Sequence, residues 1–272
     1  MSPLDAKREA LLAALRGLES CAVAFSGGVD SAVVAKAAAL ALGERAIAVT
    51  GTSASLAAGE LEAAAELARL IGIRHEVIAT DELASADYTR NAPDRCYHCK
   101  TELYSQLERL FPKQGVQAIV NGANADDLGD YRPGMQAAAE HRIHSPLAEC
   151  GITKAEVREL AAAWGLPVWD KPATPCLSSR IAYGEAVTPE RLAMIDGAEQ
   201  FLRARGLANL RVRYHRGDLA RIEVPLDDLP RLCAAETRRE LTAELRRLGF
   251  KFVTLDLEGF RSGSLNQLVQ IG

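Results

Sequence analysis

The sequence predicts an α/β protein: a parallel sheet with helices on both faces, followed by a small α+β domain. Three observations predict this. Short apolar runs alternate with longer helical patterns from Cys21 to about Pro167, the order that builds a parallel sheet. The first of these runs, Cys21 to Phe25, shows no polar alternation, as expected of a strand buried on both faces. Beyond Lys171 a proline- and serine-rich crossing leads to strands with alternating residues. The expected division is 1–180 for the first domain and 181–272 for the second.

Taken in order, the N-terminal "MSPLDAKREALLAALRGLE" reads as a charged amphipathic helix without a cleavage-site pattern. Strand Cys21 to Phe25 then breaks at Ser26-Gly27-Gly28-Val29-Asp30-Ser31, and a long alanine-rich run follows that reads as a buried helix. "RAIAVTGTSAS" gives a second strand, "LAAGELEAAAELARLIG" a helix ending at Gly72, and "RHEVIAT" a third strand. The polar segment Asp81 to Asp94 leads into a helix with Cys96 and Cys99 near its start. "VQAIVNGANADD" is a fourth strand and loop, and "HRIHSPLAECGITKAEVRELAAAWGLP" a short strand, a turn and a helix. The second domain reads αββαβ, with "LPRLCAAETRRELTAELRRLG" as one helix.

Composition bounds the function classes. A chain of 272 residues with 48% hydrophobic and 25% charged residues can bury a sizeable core. A net charge of -4 argues against a dominant electrostatic grip on nucleic acid, and tRNA is not the expected partner. No apolar stretch reaches membrane-spanning length, so a soluble cytoplasmic protein without a membrane partner is expected. Cys21, Cys150 and Cys233 stand singly in apolar or helical surroundings and read as small buried hydrophobes.

The turn from Ser26 to Ser31 carries the first chemistry. A tight strand-to-helix turn presents unpaired N–H groups at a helix N-terminus, and its glycines let an anion approach the main chain. The P-loop lysine is missing at the equivalent place. The strand C-terminal ends put the loops after Phe25, Thr50 and Val120 on one rim. Adenine is expected near Val49 to Gly51, with Thr50 at its centre, and phosphates at Ser26, Gly27, Gly28, Asp30 and Ser31. "NGANADDLGDYRPG" adds Asp126, Asp127, Asp130 and Arg132; carboxylates there suit Mg2+ on the phosphates, and Lys100 and Arg132 suit the phosphates themselves.

Cys96 and Cys99, three apart on a helix, form a two-thiolate bite, and Cys176 of "TPCLSSR" adds a third thiolate. By residue type alone, zinc with His98 or Cys150 as fourth ligand, a disulfide, and an iron–sulfur cluster all remain open. Cys176 also reads as a nucleophile or sulfur donor, with Ser178, Ser179 and Arg180 beside it.

The six residues Ser26 to Ser31 match Ser-Gly-Gly-x-Asp-Ser, the signature of the PP-loop ATP pyrophosphatase superfamily. With the Cys96/Cys99 pair, "NGANADDLGDYRPG" and "PATPCLSSRIAYG", nearly the whole chain resembles the LarE-type ATP-dependent sulfur transferases of nickel-pincer cofactor biosynthesis, which serves lactate racemase. The resemblance implies that ATP adenylates a carboxylate of pyridinium-3,5-biscarboxylic acid mononucleotide and that sulfur then replaces AMP. It further implies two forms, one in which the cysteine matching Cys176 gives up its own sulfur, and one in which three cysteines, here Cys96, Cys99 and Cys176, hold a 4Fe-4S cluster that carries the sulfur. The three-cysteine form is the expected one. Ser179, Arg211 and Arg213 are the candidates for the substrate phosphate, a solvated sheet face being the alternative for the two arginines. A homo-hexamer formed through the second domain is implied by the family alone. A PP-loop tRNA thiolase, an ammonia-dependent amidotransferase and a non-enzymatic nucleotide sensor are the rival classes.

Overall fold

The computed structural model describes residues 2–110, 115–129, 133–172 and 174–261. They form two compact units, the first from Met1–Ser53, Gly59–Glu82 and Cys96–Thr174, the second from Ala54–Ala58, Leu83–Arg95 and Pro175–Gly272.

In the first unit α1 (Pro3–Arg16) begins with a capping box between Ser2 and Asp5. Strands β1 (Cys21–Ala24), β2 (Ala46–Thr52) and β3 (Arg74–Ala79) are joined through α2 (Val29–Leu42) and α3 (Glu60–Ile71). In the second unit's inserted segment lies α4 (Ala86–Thr89); back in the first unit follow α5 (Arg95–Leu110), whose first residue still belongs to the second, then β4 (Ala118–Val120), α6 (Pro133–Glu140), α7 (Pro146–Glu149) and α8 (Lys154–Ala163). The sheet is wholly parallel in the order β3-β2-β1-β4, with Cys21 opposite Ala46 and Ala118.

Strand alternation sorts this unit into two cores. Cys21, Val23, Ala46 and Ala48 face α1, α2, α3 and α8, where Leu11, Leu15, Val33, Leu67 and Leu160 pack. Ala22, Ala24, Ile47 and Val49 face the other way, onto Tyr104 and Leu107 of α5 and Ala137 and Ala138 of α6. That is why β1 and the start of β2 lack polar alternation: both faces are covered there, whereas β3 at the sheet edge keeps Arg74 and Val77 exposed. α2 is apolar nearly all round because α1, α3 and α8 pack against it. The short strand expected around His144 is only a single bridge to Val120, since Pro146, which lacks an N–H, starts α7 two residues later.

The second unit places α9 (Pro189–Arg203), capped by Thr188 with Pro at its first position, beside β5 (Arg211–His215) and β6 (Leu219–Glu223). These pair antiparallel, Arg211 opposite Glu223, and β7 (Phe252–Leu255) adds parallel to β6. The single helix expected from Leu229 is two, α10 (Leu229–Cys233) and α11 (Ala235–Arg247), parted where Ala234 is extended. The apolar phase explains the break. Leu232 and Leu241, both buried, would lie about half a turn apart on one continuous helix. Breaking the helix lets both face inward. Cys233, expected buried, is exposed at the end of α10, whereas Cys21 is fully buried and its thiol is pushed up to about 12 by that burial.

Candidate functional site

The first centre lies at the C-terminal end of β1. Gly27 takes φ +71, open to glycine at little cost, and a Cβ there would sit 3.3 Å from Ala64 of α3. Gly28 is the N-cap of α2 and gives no side-chain cap, so the first N–H groups of α2 are left for an anion. The two serines stiffen the turn. Their hydroxyls meet at 3.2 Å, Ser26 N–H and Ser31 Oγ are 3.3 Å apart, and Ser31 Oγ donates to Gly28 O at 3.0 Å. Ser26, Gly27, Gly28, Asp30 and Ser31 are therefore brought together as one loop, in which the Gly28 N–H also donates to Ser26 Oγ at 3.4 Å while the start of α2 takes no side-chain cap.

Gly122, which motif reading passed over, completes this centre. A Cβ built on it lies 2.8 Å from Ser31 N, so the loop after β4 presses directly on the first turn of α2. The Asn-Gly turn signal in "VNGANADD" was its only trace in sequence. From the same loop Asn124 Nδ2 donates to Asp30 Oδ1 at 3.1 Å, while the other oxygen of Asp30 pairs with Lys154 Nζ from α8. Asp127 accepts from Asn124 N at 3.0 Å and Asp126 from Lys154 N at 2.9 Å, so these acids first of all build the turn and cap α8. Arg132 and Asp130 lie outside the described residues.

Thr50 is buried, and its hydroxyl donates to Phe25 O at 2.9 Å and meets His75 Nε2 at 2.8 Å. It ties the end of β1 to β2 and β3 at the edge of the phosphate loop. His75 stacks edge-on against Phe25, and burial holds its pKa below the ordinary imidazole value. Cys96, exposed, and Cys99, half-buried, share the first turns of α5, and no disulfide links any of the six cysteines. The Lys100 ammonium lies 6.0 Å from the Tyr104 ring centroid. Among the described residues no group of three or more His, Cys, Asp or Glu stands ready for a metal ion.

The second centre is the Cys176 loop of the second unit. Cys176 is exposed and heads a 3-10 turn over Leu177–Arg180. Three guanidinium groups hold the loop's carbonyls. Arg180 Nη1 donates to Pro175 O and, at 2.9 Å, to Cys176 O; Arg95 Nη1 donates to Ser178 O at 2.9 Å and Arg213 Nη1 to Ser179 O at 3.1 Å. Ser179 Oγ also donates to Cys176 O at 2.7 Å. Behind the loop the Tyr88 hydroxyl pairs with Ser178 Oγ at 2.6 Å, and Asn91 Nδ2 donates to Ile181, Ala182 and Glu185 carbonyls. The loop's carbonyls are thus held by side chains while Cys176 stays exposed.

The two β5 arginines are buried, which overturns the alternative of a solvated sheet face. Arg213 binds Glu223 through Nε at 3.0 Å and Nη2 at 2.8 Å. Arg211 donates to Leu210 O at 2.7 Å, and its pKa falls to about 10 because of burial first and the nearby Arg180 charge next. Glu199, which carries no sequence motif, bridges Arg180, Arg203 and the Val212 N–H. So Ser179, Arg211 and Arg213 share one unit with Cys176, where the buried carboxylates of Glu199 and Glu223 pair Arg180, Arg203 and Arg213.

Residues 5–163 match the asparagine synthase family. The chain is 38% identical to the pyridinium-3,5-bisthiocarboxylic acid mononucleotide synthase of Lactiplantibacillus plantarum, over 98% of this chain and 96% of that protein. It is 46% identical to an uncharacterized protein of Synechocystis, over 98% and 99% of the two chains. A tRNA-specific 2-thiouridylase of Xanthobacter autotrophicus is 31% identical over 55% of this chain and 48% of its own.

Proposed function

The chain belongs to the LarE-type branch of the PP-loop family, with the pyridinium-3,5-bisthiocarboxylic acid mononucleotide synthase as a near-full-length relative, and from that premise we propose how its two centres divide the reaction. It is an ATP-dependent sulfur transferase of nickel-pincer cofactor biosynthesis. The observation that carries the division is the contrast between an open, uncapped helix N-terminus at Gly28 and an exposed Cys176 on a braced loop.

At the first centre the N–H groups of Gly27, Gly28 and the start of α2 receive the pyrophosphate of ATP, with Lys100 and Arg132 as further cations and Thr50 bordering adenine. A substrate carboxylate oxygen attacks the α-phosphorus, the bond to pyrophosphate breaks, and the acyl adenylate forms. Mg2+ bound to the phosphates would neutralise part of their charge, and Asp126 and Asp127 of the loop after β4 are the hard oxygen donors that would hold it.

At the second centre Ser179, Arg211 and Arg213 bind the substrate's phosphate, and the braced loop keeps Cys176 in place for the activated carbonyl. Sulfur attacks that carbon and AMP leaves with the original oxygen, giving the thiocarboxylate. Cys96, Cys99 and Cys176 have the donor chemistry for a 4Fe-4S cluster, three thiolates that leave one iron position open. Bound there, such a cluster would supply inorganic sulfide. In the alternative, Cys176 itself attacks; loss of its α-proton and cleavage of its Cβ–S bond then release the product and leave dehydroalanine. In this scheme the domain 1–180 serves activation and contributes Cys176 and Ser179 to the second centre, the domain 181–272 serves substrate binding, and a homo-oligomer, a hexamer in the family, assembles through the latter.

Iron and sulfide assays with Mössbauer spectra, on protein purified and reconstituted without oxygen, test the sulfur route. About four irons per chain, lost in Cys96→Ala, support the cluster. Iron-free protein that becomes lighter by one hydrogen sulfide per turnover makes Cys176 the donor.

A further inference from the structure

The nucleotide centre holds a cation that its loop motif does not announce. Asp30 occupies the first turn of α2, beside the N–H groups that meet an anion. A bare carboxylate there repels a triphosphate. Both of its oxygens are engaged, Oδ1 by Asn124 Nδ2 at 3.1 Å and Oδ2 by Lys154 Nζ.

Lys154 comes from an element whose position is firmly set. It is the first residue of α8; its own N–H is capped by Asp126 Oδ2 at 2.9 Å, and Thr153 and Glu156 close a capping box around it. Lys7 of α1 pairs with Glu156 at 2.8 Å and donates to Gly151 O at 2.7 Å, fastening the start of α8 to α1. The two helix starts thus differ in kind. That of α8 is closed by side chains, and that of α2 is open, with the Lys154 ammonium, 38% exposed, reaching across to Asp30, 25% exposed.

We propose that Lys154 is a positioning residue of the nucleotide centre: it neutralises Asp30 and holds that carboxylate against Asn124, so that the first turn of α2 accepts the pyrophosphate portion of a nucleoside triphosphate. This rests on the reading that residues 26–31 hold that pyrophosphate. It supplies from α8 the positive charge that a P-loop places within its own loop.

The test is equilibrium binding of inorganic pyrophosphate to the full-length protein by calorimetry, with divalent ions chelated, and of ATP with Mg2+ in parallel. Lys154→Met weakens pyrophosphate binding about tenfold or more, and Lys154→Arg stays within about threefold of the parent. Combining Lys154→Met with Asp30→Asn restores binding to within about threefold, because a neutral side chain at 30 needs no counter-charge. Lys154→Gln keeps a hydrogen bond to Asp30 without the charge and matches Lys154→Met, which guards against a misfolded variant. Unchanged affinity in Lys154→Met or Lys154→Gln overturns the proposal. A double variant as weak as the single one overturns it too, placing the ammonium directly on the phosphates. A parent protein that binds neither pyrophosphate nor ATP removes the reading of the loop itself, and the role of Lys154 with it; binding by the parent with no loss in the variants removes only Lys154.

Discussion

Arg180 and Glu199 face each other in the second unit with neither side chain exposed, Nε and Oε1 3.0 Å apart. The same guanidinium holds the carbonyls of Pro175 and Cys176, so one buried ion pair fixes the backbone that carries the exposed Cys176 thiol. Removing Glu199 leaves the buried Arg180 charge without its carboxylate, and removing Arg180 leaves the buried Glu199 with Arg203 as its remaining ion-pair partner. Arg180→Met and Glu199→Gln are each expected to cost about 3–5 kcal/mol in urea unfolding. A loss below about 1 kcal/mol, the scale of an exposed pair, contradicts a closed pair.

Gly122 against Ser31 makes a second prediction. Gly122→Ala forces its Cβ into the α2 first turn and costs about 1–3 kcal/mol of stability, with a clear loss of ATP affinity. Gly129→Ala is the control, since a Cβ there meets nothing within 4 Å. Equal behaviour of the two variants in thermal melts and ATP titration shows that the close approach is not sensed.

Activation and sulfur delivery separate by mutation. Cys176→Ala keeps substrate-dependent pyrophosphate release and forms no thiocarboxylate, as read by a phosphate-coupled assay and product mass. Persistence of thiolated product moves the sulfur chemistry to other residues. An amide formed from ammonia in Cys176→Ala supports the amidotransferase class instead.

His75 predicts a pH response. Burial lowers its folded pKa below the value of 6.5 that it has when exposed. The unfolded chain therefore binds the proton more readily, so this contribution is fully present above pH 6.5 and is lost as pH falls through the folded value. Unfolding free energies between pH 7.5 and about 5 have a shallower decline in His75→Gln than in the parent. Parallel curves assign the decline to other groups, His215 first among them, whose pKa burial also lowers.

Legibility in the sequence followed range. The Ser26 to Ser31 turn, the β1–α2 junction and the alternation that makes a parallel sheet are local patterns, set by φ-permissive glycines and side-chain periodicity. They placed the phosphate loop, and the cysteine spacing on α5 was read in the same way. The break at Ala234 was also written locally, in the phase of Leu232 against Leu241, but no glycine or proline marks it.

The sequence by itself determined the family and singled out the Ser26 to Ser31 turn and Cys176 as candidates, because each rests on residues adjacent along the chain. Only the tertiary structure decided what surrounds them. Lys154 is 124 residues from Asp30, Arg95 is 83 from Ser178, and Glu199 is 19 from Arg180. Buried charges and hydrogen-bonding groups must find partners wherever the fold brings them. No local pattern encodes that meeting, so the partners that tune each centre become visible only once the chain is packed.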